Sequence, residues 1–181
     1  MIWLLLGLAL WSGVHLFKRI APERRAALGD KAKGPIALAL IASIVLMVIG
    51  FRAWDGTVYW GRSPAMAGIN NLLMLLSLYL FAASGKGTRI TRAIRHPQLT
   101  AVIFWSVGHL LANGDTPSFV LFGGLAIWAV VEMIVINRAL GPRGDYHAPP
   151  IKSEVIAIVA TVVVFAITAA IHIWLGYNPF G

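Results

Sequence analysis

Two histidines in this sequence lie inside apolar stretches and share the same neighbours. Residues 11–16 read Trp-Ser-Gly-Val-His-Leu and residues 105–110 read Trp-Ser-Val-Gly-His-Leu, so the two tracts differ only by an exchange of Gly and Val. In a helix, positions i−4 and i−3 lie on the same face as position i. The spacing therefore predicts that His15 and His109 each share a helical face with a tryptophan and a serine.

An imidazole in an apolar helix has two chemical interpretations. In the first, neutral imidazoles form hydrogen bonds from helix to helix. In the second, they ligate heme iron or another metal. The chain contains no cysteine, and no carboxylate cluster accompanies these histidines, which favours the first interpretation on residue chemistry alone. Glu132 is predicted at a depth similar to that of His15, where it either orients that imidazole or pairs with an arginine beyond the helix.

The composition predicts an integral membrane protein, with the lipid bilayer as its partner. Of 181 residues, 59% are hydrophobic and 12% are charged, and the apolar residues form blocks long enough to cross or nearly cross a bilayer. The formal net charge of +8 does not indicate nucleic acid, because the basic residues lie mostly between the apolar blocks. The first block has no basic residue before it, so we interpret it as a retained helix rather than a signal peptide.

Six apolar blocks predict six membrane helices, and a short surface helix is predicted between Pro22 and Gly29. The membrane helices are predicted at residues 2–17, 35–54, 65–84, 97–113, 118–136 and 154–175. The fold class is an all-α, polytopic membrane helix bundle, formed as one domain from residue 1 to residue 181. The fourth helix is short for a full span, which leaves a re-entrant segment as an alternative. The amides of Asn70 and Asn71 in the third helix are predicted to bond to neighbouring helices.

Basic residues set the predicted orientation. They cluster after the first, third and fifth helices, whereas the opposite connections contain only Arg52 and Arg62. The positive-inside rule then puts the basic connections in the cytoplasm and both termini outside. This alternation favours a full span for the fourth helix. With three spans in each half, the two histidine tracts would begin halves of opposite direction, as in an inverted repeat.

Several motifs resemble the NnrU family of bacterial membrane proteins. They are Arg-His-Pro-Gln at 95–98, the tract at 105–109, Ala-Asn-Gly-Asp at 112–115 and Leu-Phe-Gly-Gly at 121–124, together with His15 and His172. The resemblance covers most of the chain. It implies a multi-pass protein of the bacterial inner membrane, linked to denitrification, nitric-oxide or redox metabolism, with a small apolar or nitrogen-oxide molecule as a candidate ligand.

That family is similar to the plant and cyanobacterial 15-cis-zeta-carotene isomerases, which bind heme b through histidines. The similarity implies heme b as a cofactor, with His15 and His109 as iron ligands. Ser106 stands where the isomerases have a cysteine, so neither a thiolate ligand nor carotene isomerisation is expected. At about 1.5 Å per residue, His15 and His109 differ in predicted depth by roughly 10 Å. His172 matches the depth of His109 better, which makes it the second candidate partner.

The segment 95–97, Arg-His-Pro, also resembles a motif of integral membrane methyltransferases that bind S-adenosylmethionine at the cytoplasmic face. That resemblance implies a cofactor-binding role for Arg95 and His96. The sequence departs from the motif at Leu99, where those enzymes have a tyrosine, and no paired glutamates follow the fifth helix. Alternatively, His96 only begins a helix at the membrane interface. A non-enzymatic assembly factor for respiratory enzymes is a third function class, and the residues do not decide between enzyme and non-enzyme.

Overall fold

The computed structural model of the chain describes residues 1–144 and 146–180, with Lys86 described by its backbone alone. The fold is all-α except for two very short paired strands, β1 (Val58–Trp60) and β2 (Gly114–Asp115). The helices are α1 (Ile2–Ile20), α2 (Pro22–Ala27), α3 (Lys33–Arg52), α4 (Pro64–Lys86), α5 (Pro97–Ala112), α6 (Thr116–Leu140) and α7 (Ile151–Trp174). Two 3-10 turns lie at Gly29–Ala32 and Arg89–Arg92.

The seven helices correspond to the six long helices and the short surface helix predicted from the sequence. Local chemistry explains where three of them begin. The side chain of Ser63 caps α4 by accepting a hydrogen bond from the Met66 backbone N–H at 3.2 Å. Asp115 caps α6 in the same way, accepting from Ser118 N–H at 2.8 Å. Pro97 opens α5, where its missing N–H costs no helical hydrogen bond.

Among the described residues, four helices are long and apolar enough to cross a membrane, namely α3, α4, α6 and α7. The other two long helices are α1 and α5, which carry His15 and His109. Helix α5 has 16 residues. At 1.5 Å per residue it is about 24 Å long, less than the roughly 30 Å of a bilayer's hydrocarbon core. Length and composition thus support four spans directly, against the six that were predicted.

The first compact unit comprises Met1–Tyr59 and Asp115–Gly141, and contains α1, α3 and α6. Its α1 and α3 are antiparallel and pack through glycines. A Cβ added to Gly7 would lie 2.8 Å from the backbone at both Ser43 and Met47, and one added to Gly50 would lie 2.2 Å from the Leu4 backbone nitrogen. Only glycine permits this approach, because any side chain would meet backbone atoms of the facing helix.

The second compact unit comprises Trp60–Gly114 and Pro142–Gly181, and contains α4, α5 and α7. Helix α4 packs antiparallel against both of the others. The Ser77 hydroxyl donates to the Ala101 carbonyl on α5 at 2.8 Å, and the Asn71 side-chain amide donates to the Pro179 carbonyl beyond α7 at 3.0 Å. Asn71 therefore bonds outside its own helix, to the segment beyond α7 rather than to a neighbouring helix, and the Asn70 Oδ1 has no hydrogen-bond partner among the described residues.

The two units do not follow the two halves of the sequence. The first unit groups the first, second and fifth long helices, and the second unit groups the third, fourth and sixth. Within its unit, α1 packs mainly against α3, the next long helix in the chain. Helix α5 packs mainly against α4, the helix before it. The two histidine tracts are thus locally alike, but the helices of the two sequence halves are not grouped in the same way around them.

Candidate functional site

Three histidines near the ends of α1, α5 and α7 make the same hydrogen bond to their own helix. In each, Nδ1 bonds the backbone carbonyl four residues earlier: His15 to Trp11 at 2.9 Å, His109 to Trp105 at 2.9 Å, and His172 to Thr168 at 2.8 Å. A carbonyl oxygen only accepts, so Nδ1 carries the proton in the neutral ring and Nε2 carries the lone pair. This is the tautomer that ligates a metal through Nε2, with Nδ1–H held by an outer partner.

The repeated tract also produces the same ring contact twice. The centroids of Trp11 and His15 are 4.2 Å apart, and those of Trp105 and His109 are 4.8 Å apart. The prediction that each histidine shares a helical face with its tryptophan is correct. The contact follows from the i to i+4 spacing alone, because side chains at these positions lie one above the other on a helix.

In the first unit, α6 adds a second indole to this pair. Trp128 makes edge contacts with both His15, at a centroid distance of 4.8 Å, and Trp11, at 5.4 Å. Trp128 is buried, and it lies one helical turn before Glu132. Helices α1 and α6 run parallel, because Trp11 faces Trp128 while Arg19 faces Glu132 further along both helices. The imidazole of His15 is therefore packed against two indole rings, which also contact each other.

Glu132 pairs with an arginine, one of the two alternatives that the sequence left open. The residue is 7% exposed, and its Oε1 lies 3.7 Å from Nε of Arg19. Within the described part of the chain, its Oε2 and the indole nitrogens of Trp11 and Trp128 have no hydrogen-bond partner. Buried polar groups without a protein partner are usually bonded to ordered water or to a ligand. The His15 Nδ1–H donates to the Trp11 carbonyl of its own helix and not to this carboxylate.

We expect Arg19→Met to destabilise the first unit by about 3 kcal/mol, because it leaves the Glu132 carboxylate buried without its counter-charge. Methionine keeps the aliphatic packing of the arginine stem. In the double variant Arg19→Met/Glu132→Gln, a neutral amide replaces the carboxylate, and we expect at least half of the loss to be recovered. Denaturant unfolding in mixed micelles, followed by circular dichroism, measures the free energy of unfolding of both variants. If Arg19→Met alone were as stable as the wild-type protein, the pairing of Arg19 with Glu132 would be contradicted.

In the second unit, His109 lies near the end of α5 beside polar atoms that lack partners. The Asn70 Oδ1 on α4 lies 2.7 Å from the position that a Cβ at Gly108 would occupy, and this oxygen is buried without a hydrogen bond among the described residues. The Ser106 hydroxyl, three residues before His109, is fully buried and is likewise without a partner in that set. The sequence indicated Asn70 only as a structural amide, and its position beside the histidine helix depends on how α4 and α5 pack.

His172 lies at the same end of the second unit as His109. Asn70 meets α5 at Gly108, and the neighbouring Asn71 bonds to Pro179 just beyond α7, so both helix ends lie at one level of α4. The chain after α7 turns back, with the Tyr177 N–H donating to the carbonyl of His172 at 2.8 Å.

Trp60 lies over the segment that follows His109. Its indole packs on Gly114, where an added Cβ would be 2.3 Å from the ring, and its Nε1 donates to the Leu111 carbonyl at 3.3 Å. The Asn113 side-chain amide donates to the carbonyl of His109 at 2.8 Å. The sequence indicated Trp60 only as an interfacial aromatic, and no spacing signal links it to a residue about fifty positions away.

Arg95 and His96 lie at the opposite end of α5 from His109. His96 and His109 are thirteen positions apart, which corresponds to about 20 Å along a helix, so the two predicted sites are separate. His96 precedes Pro97 at the helix start, and its carbonyl accepts from the Thr100 hydroxyl at 2.9 Å. This arrangement agrees with the interpretation of His96 as a helix-start residue.

Two groups of hydrogen bonds hold the chain near Arg95. The Arg143 guanidinium donates to the carbonyls of Thr91 and Arg92, at 2.8 Å in the second case. Glu154, at the start of α7, accepts hydrogen bonds from the Tyr79 hydroxyl at 2.8 Å and from the Arg89 backbone N–H. The arginine segment is thus bound to the loop that precedes α7, and its cationic side chains lie at one end of the second unit.

The donor set limits what kind of metal group fits. Across residues 1–144 and 146–180, no three His, Asp or Glu side chains are grouped so as to hold a metal ion. Heme brings four nitrogen ligands of its own and requires only one or two axial ligands from the protein. A single imidazole with its Nδ1–H held in place can serve as such a ligand. The described residues do not supply the three or more ligands that a metal ion without a porphyrin would need.

A comparison with protein-family models matches residues 3–179 to the family described as NnrU protein. The matched range includes all three histidines discussed above. No curated protein and no solved structure matches the chain.

Proposed function

The chain belongs to the NnrU family, and from that premise we propose that it is a heme b-binding, multi-pass protein of the bacterial inner membrane. We further propose that it acts in denitrification, nitric-oxide or redox metabolism, with a small apolar or nitrogen-oxide molecule as its ligand. The observation that carries the proposal is the shared hydrogen bond at Nδ1, which leaves Nε2 of His109 and His172 as lone-pair donors at one end of one unit.

His109 and His172 are the residues that would hold the heme iron in this arrangement. His109 is half-buried near the end of a short helix, and His172 belongs to the same compact unit. Their Nδ1–H groups are held by helix carbonyls, which fixes the orientation and the tautomer of each ring before the cofactor binds. Heme iron supplies the redox and ligand-binding chemistry when it is bound. The protein's own contribution is two oriented imidazoles in an apolar setting.

His15 is the weaker candidate for the second ligand. Its ring is packed against both Trp11 and Trp128, and it belongs to the first unit. Its Nδ1 bond gives it the correct tautomer, but two indole contacts leave less space around the ring for a porphyrin. We therefore assign His15 to the packing of α1 against α6, together with the buried pair of Arg19 and Glu132.

We also propose six membrane spans with both termini outside. The helix directions support this topology, because α3 is antiparallel to α1, α6 is parallel to α1, and α4 is antiparallel to both α5 and α7. Six alternating spans require this order of directions, whereas a re-entrant α5 would make α6 antiparallel to α1. Short helices such as α5 are accommodated by local thinning of the bilayer.

Titration of the purified protein with hemin in detergent tests the cofactor. We expect a Soret band that saturates at one heme per chain, and the absence of any band beyond that of free hemin would overturn the proposal. Calorimetry with S-adenosylmethionine is the parallel measurement. Binding of that cofactor without heme, lost in Arg95→Ala, would favour a membrane methyltransferase. If neither cofactor binds, a non-enzymatic assembly factor becomes the better explanation.

A further inference from the structure

An apolar groove runs along the first unit between α1 and α3. It has a volume of about 490 Å³ and is lined on α1 by residues that include Ala9, Gly13 and Phe17, and on α3 by residues that include Pro35 and Ala39. Small side chains at three of these positions create the depression. The groove is open along one side, so it faces the surroundings of the helices rather than an enclosed interior.

One end of the groove is formed by the polar connection between α2 and α3. Leu28 and Ala32 extend the apolar lining there, and Lys31 is the charged residue that lines the groove. The neighbouring Lys33 forms an ion pair with Asp30 at 2.9 Å, whereas Lys31 has no acidic side chain within 4 Å in the described part of the chain. The groove is therefore apolar along its length and carries one uncompensated cation at its end.

We propose that this groove binds one acyl chain of an anionic phospholipid, with Lys31 on the headgroup phosphate. An apolar channel with a cation at one end matches an amphiphile that has an anionic head. Basic residues at the ends of membrane helices are known to hold anionic headgroups. A zwitterionic lipid such as phosphatidylcholine also has a phosphate, but its own quaternary ammonium offsets that charge and repels Lys31, so it binds less favourably. A wholly apolar molecule offers the lysine no anion at all.

The dimensions agree with an acyl chain lying along α1. Phe17 and Pro35 lie next to the connection, and Ala9 and Ala39 lie further from it. Ala9 and Phe17 are eight positions apart, which is about 12 Å of helix at 1.5 Å per residue. A chain entering beside Lys31 thus runs away from the polar connection and toward the apolar part of the helix pair, which is the direction that a lipid tail takes in a bilayer.

Gly13→Leu is the variant that tests the groove. A Cβ at Gly13 meets no atom within 4 Å, so leucine fills the groove without striking the facing helix. Leucine is also a better helix former than glycine, so the variant should fold. Gly68→Leu is the matched control, because Gly68 lies on α4 in the second unit and is equally open.

Lys31→Gln tests the headgroup contact, and Lys152→Gln makes the same change of charge in the second unit. Native mass spectrometry of the full chain in detergent, with phosphatidylglycerol or phosphatidylcholine of identical acyl chains, gives the bound lipid directly. We expect wild-type protein to bind phosphatidylglycerol at least about fivefold better than phosphatidylcholine. Gly13→Leu should lower phosphatidylglycerol binding about fivefold, and Lys31→Gln should abolish the preference while retaining phosphatidylcholine binding.

Equal binding of the two lipids by wild-type protein would overturn the proposal. So would lipid binding by Gly13→Leu equal to that by Gly68→Leu. If Gly13→Leu instead converted a dimer to a monomer without changing lipid binding, the groove would be an interface between two copies of the chain. The outcome is independent of the heme proposal, because no histidine lines the groove and no heme is needed in the assay.

Discussion

Replacing His109 by alanine is expected to weaken heme binding by about 100-fold or more, whereas His15→Ala leaves the Soret band and the affinity nearly unchanged. If His109 ligates the iron as proposed, its removal takes away a covalent ligand, and the loss should exceed the 10- to 100-fold typical of outer-shell changes. His15 belongs to the other unit, and its ring is packed against Trp11 and Trp128. Hemin titration of each variant, followed by absorption, gives the affinities.

His172→Ala completes this comparison. We expect a heme that still binds through His109 but shows a shifted Soret band, because one axial position changes. His147→Ala is the matched control, since His147 lies exposed in the loop before α7 and is not expected to ligate. If His15→Ala caused the loss and His172→Ala had no effect, the ligand pair would be His15 with His109, and our choice of His172 would be wrong.

The second large effect is expected at Gly50, where α3 meets α1. Gly50→Ala puts a Cβ 2.2 Å from the Leu4 backbone nitrogen and 2.7 Å from its Cα. These are backbone atoms of a fully buried residue, so no side chain can rotate away and the two helices must separate. Overpacking of this kind costs about 1–3 kcal/mol, and the gain in helix propensity of up to about 1 kcal/mol offsets only part of it. We therefore expect a net loss of about 1–2 kcal/mol.

Gly34→Ala on the same helix is the control for this prediction. An added Cβ there meets no atom within 4 Å, so the substitution should be neutral or slightly stabilising. Denaturant titration in mixed micelles, followed by far-UV circular dichroism, compares the free energies of unfolding. Equal stability of the two variants would show that α1 and α3 are not held at the close distance that the glycines permit.

The sequence by itself determined the helices and the local geometry around each histidine. Apolar blocks bounded by prolines and by capping residues such as Ser63 and Asp115 predict where the long helices begin, because these signals act within a few residues. The repeated tract likewise predicts that tryptophan and histidine share a face, because helical spacing alone brings positions i and i+4 together. The family resemblance followed from the same short motifs and agrees with the family match.

Only the tertiary structure decided which helices share a unit and which partners the buried polar groups have. The sequence indicated two alternatives for Glu132, because hydropathy is similar for every apolar helix and does not specify which helices pack together. Packing in hydrocarbon depends on close contacts at small residues far apart in the chain. Such contacts join Gly50 to Leu4 and Gly108 to Asn70. The tertiary structure also aligns Glu132 with Arg19 on parallel helices, and it brings the ends of α5 and α7, with His109 and His172, to one level of α4.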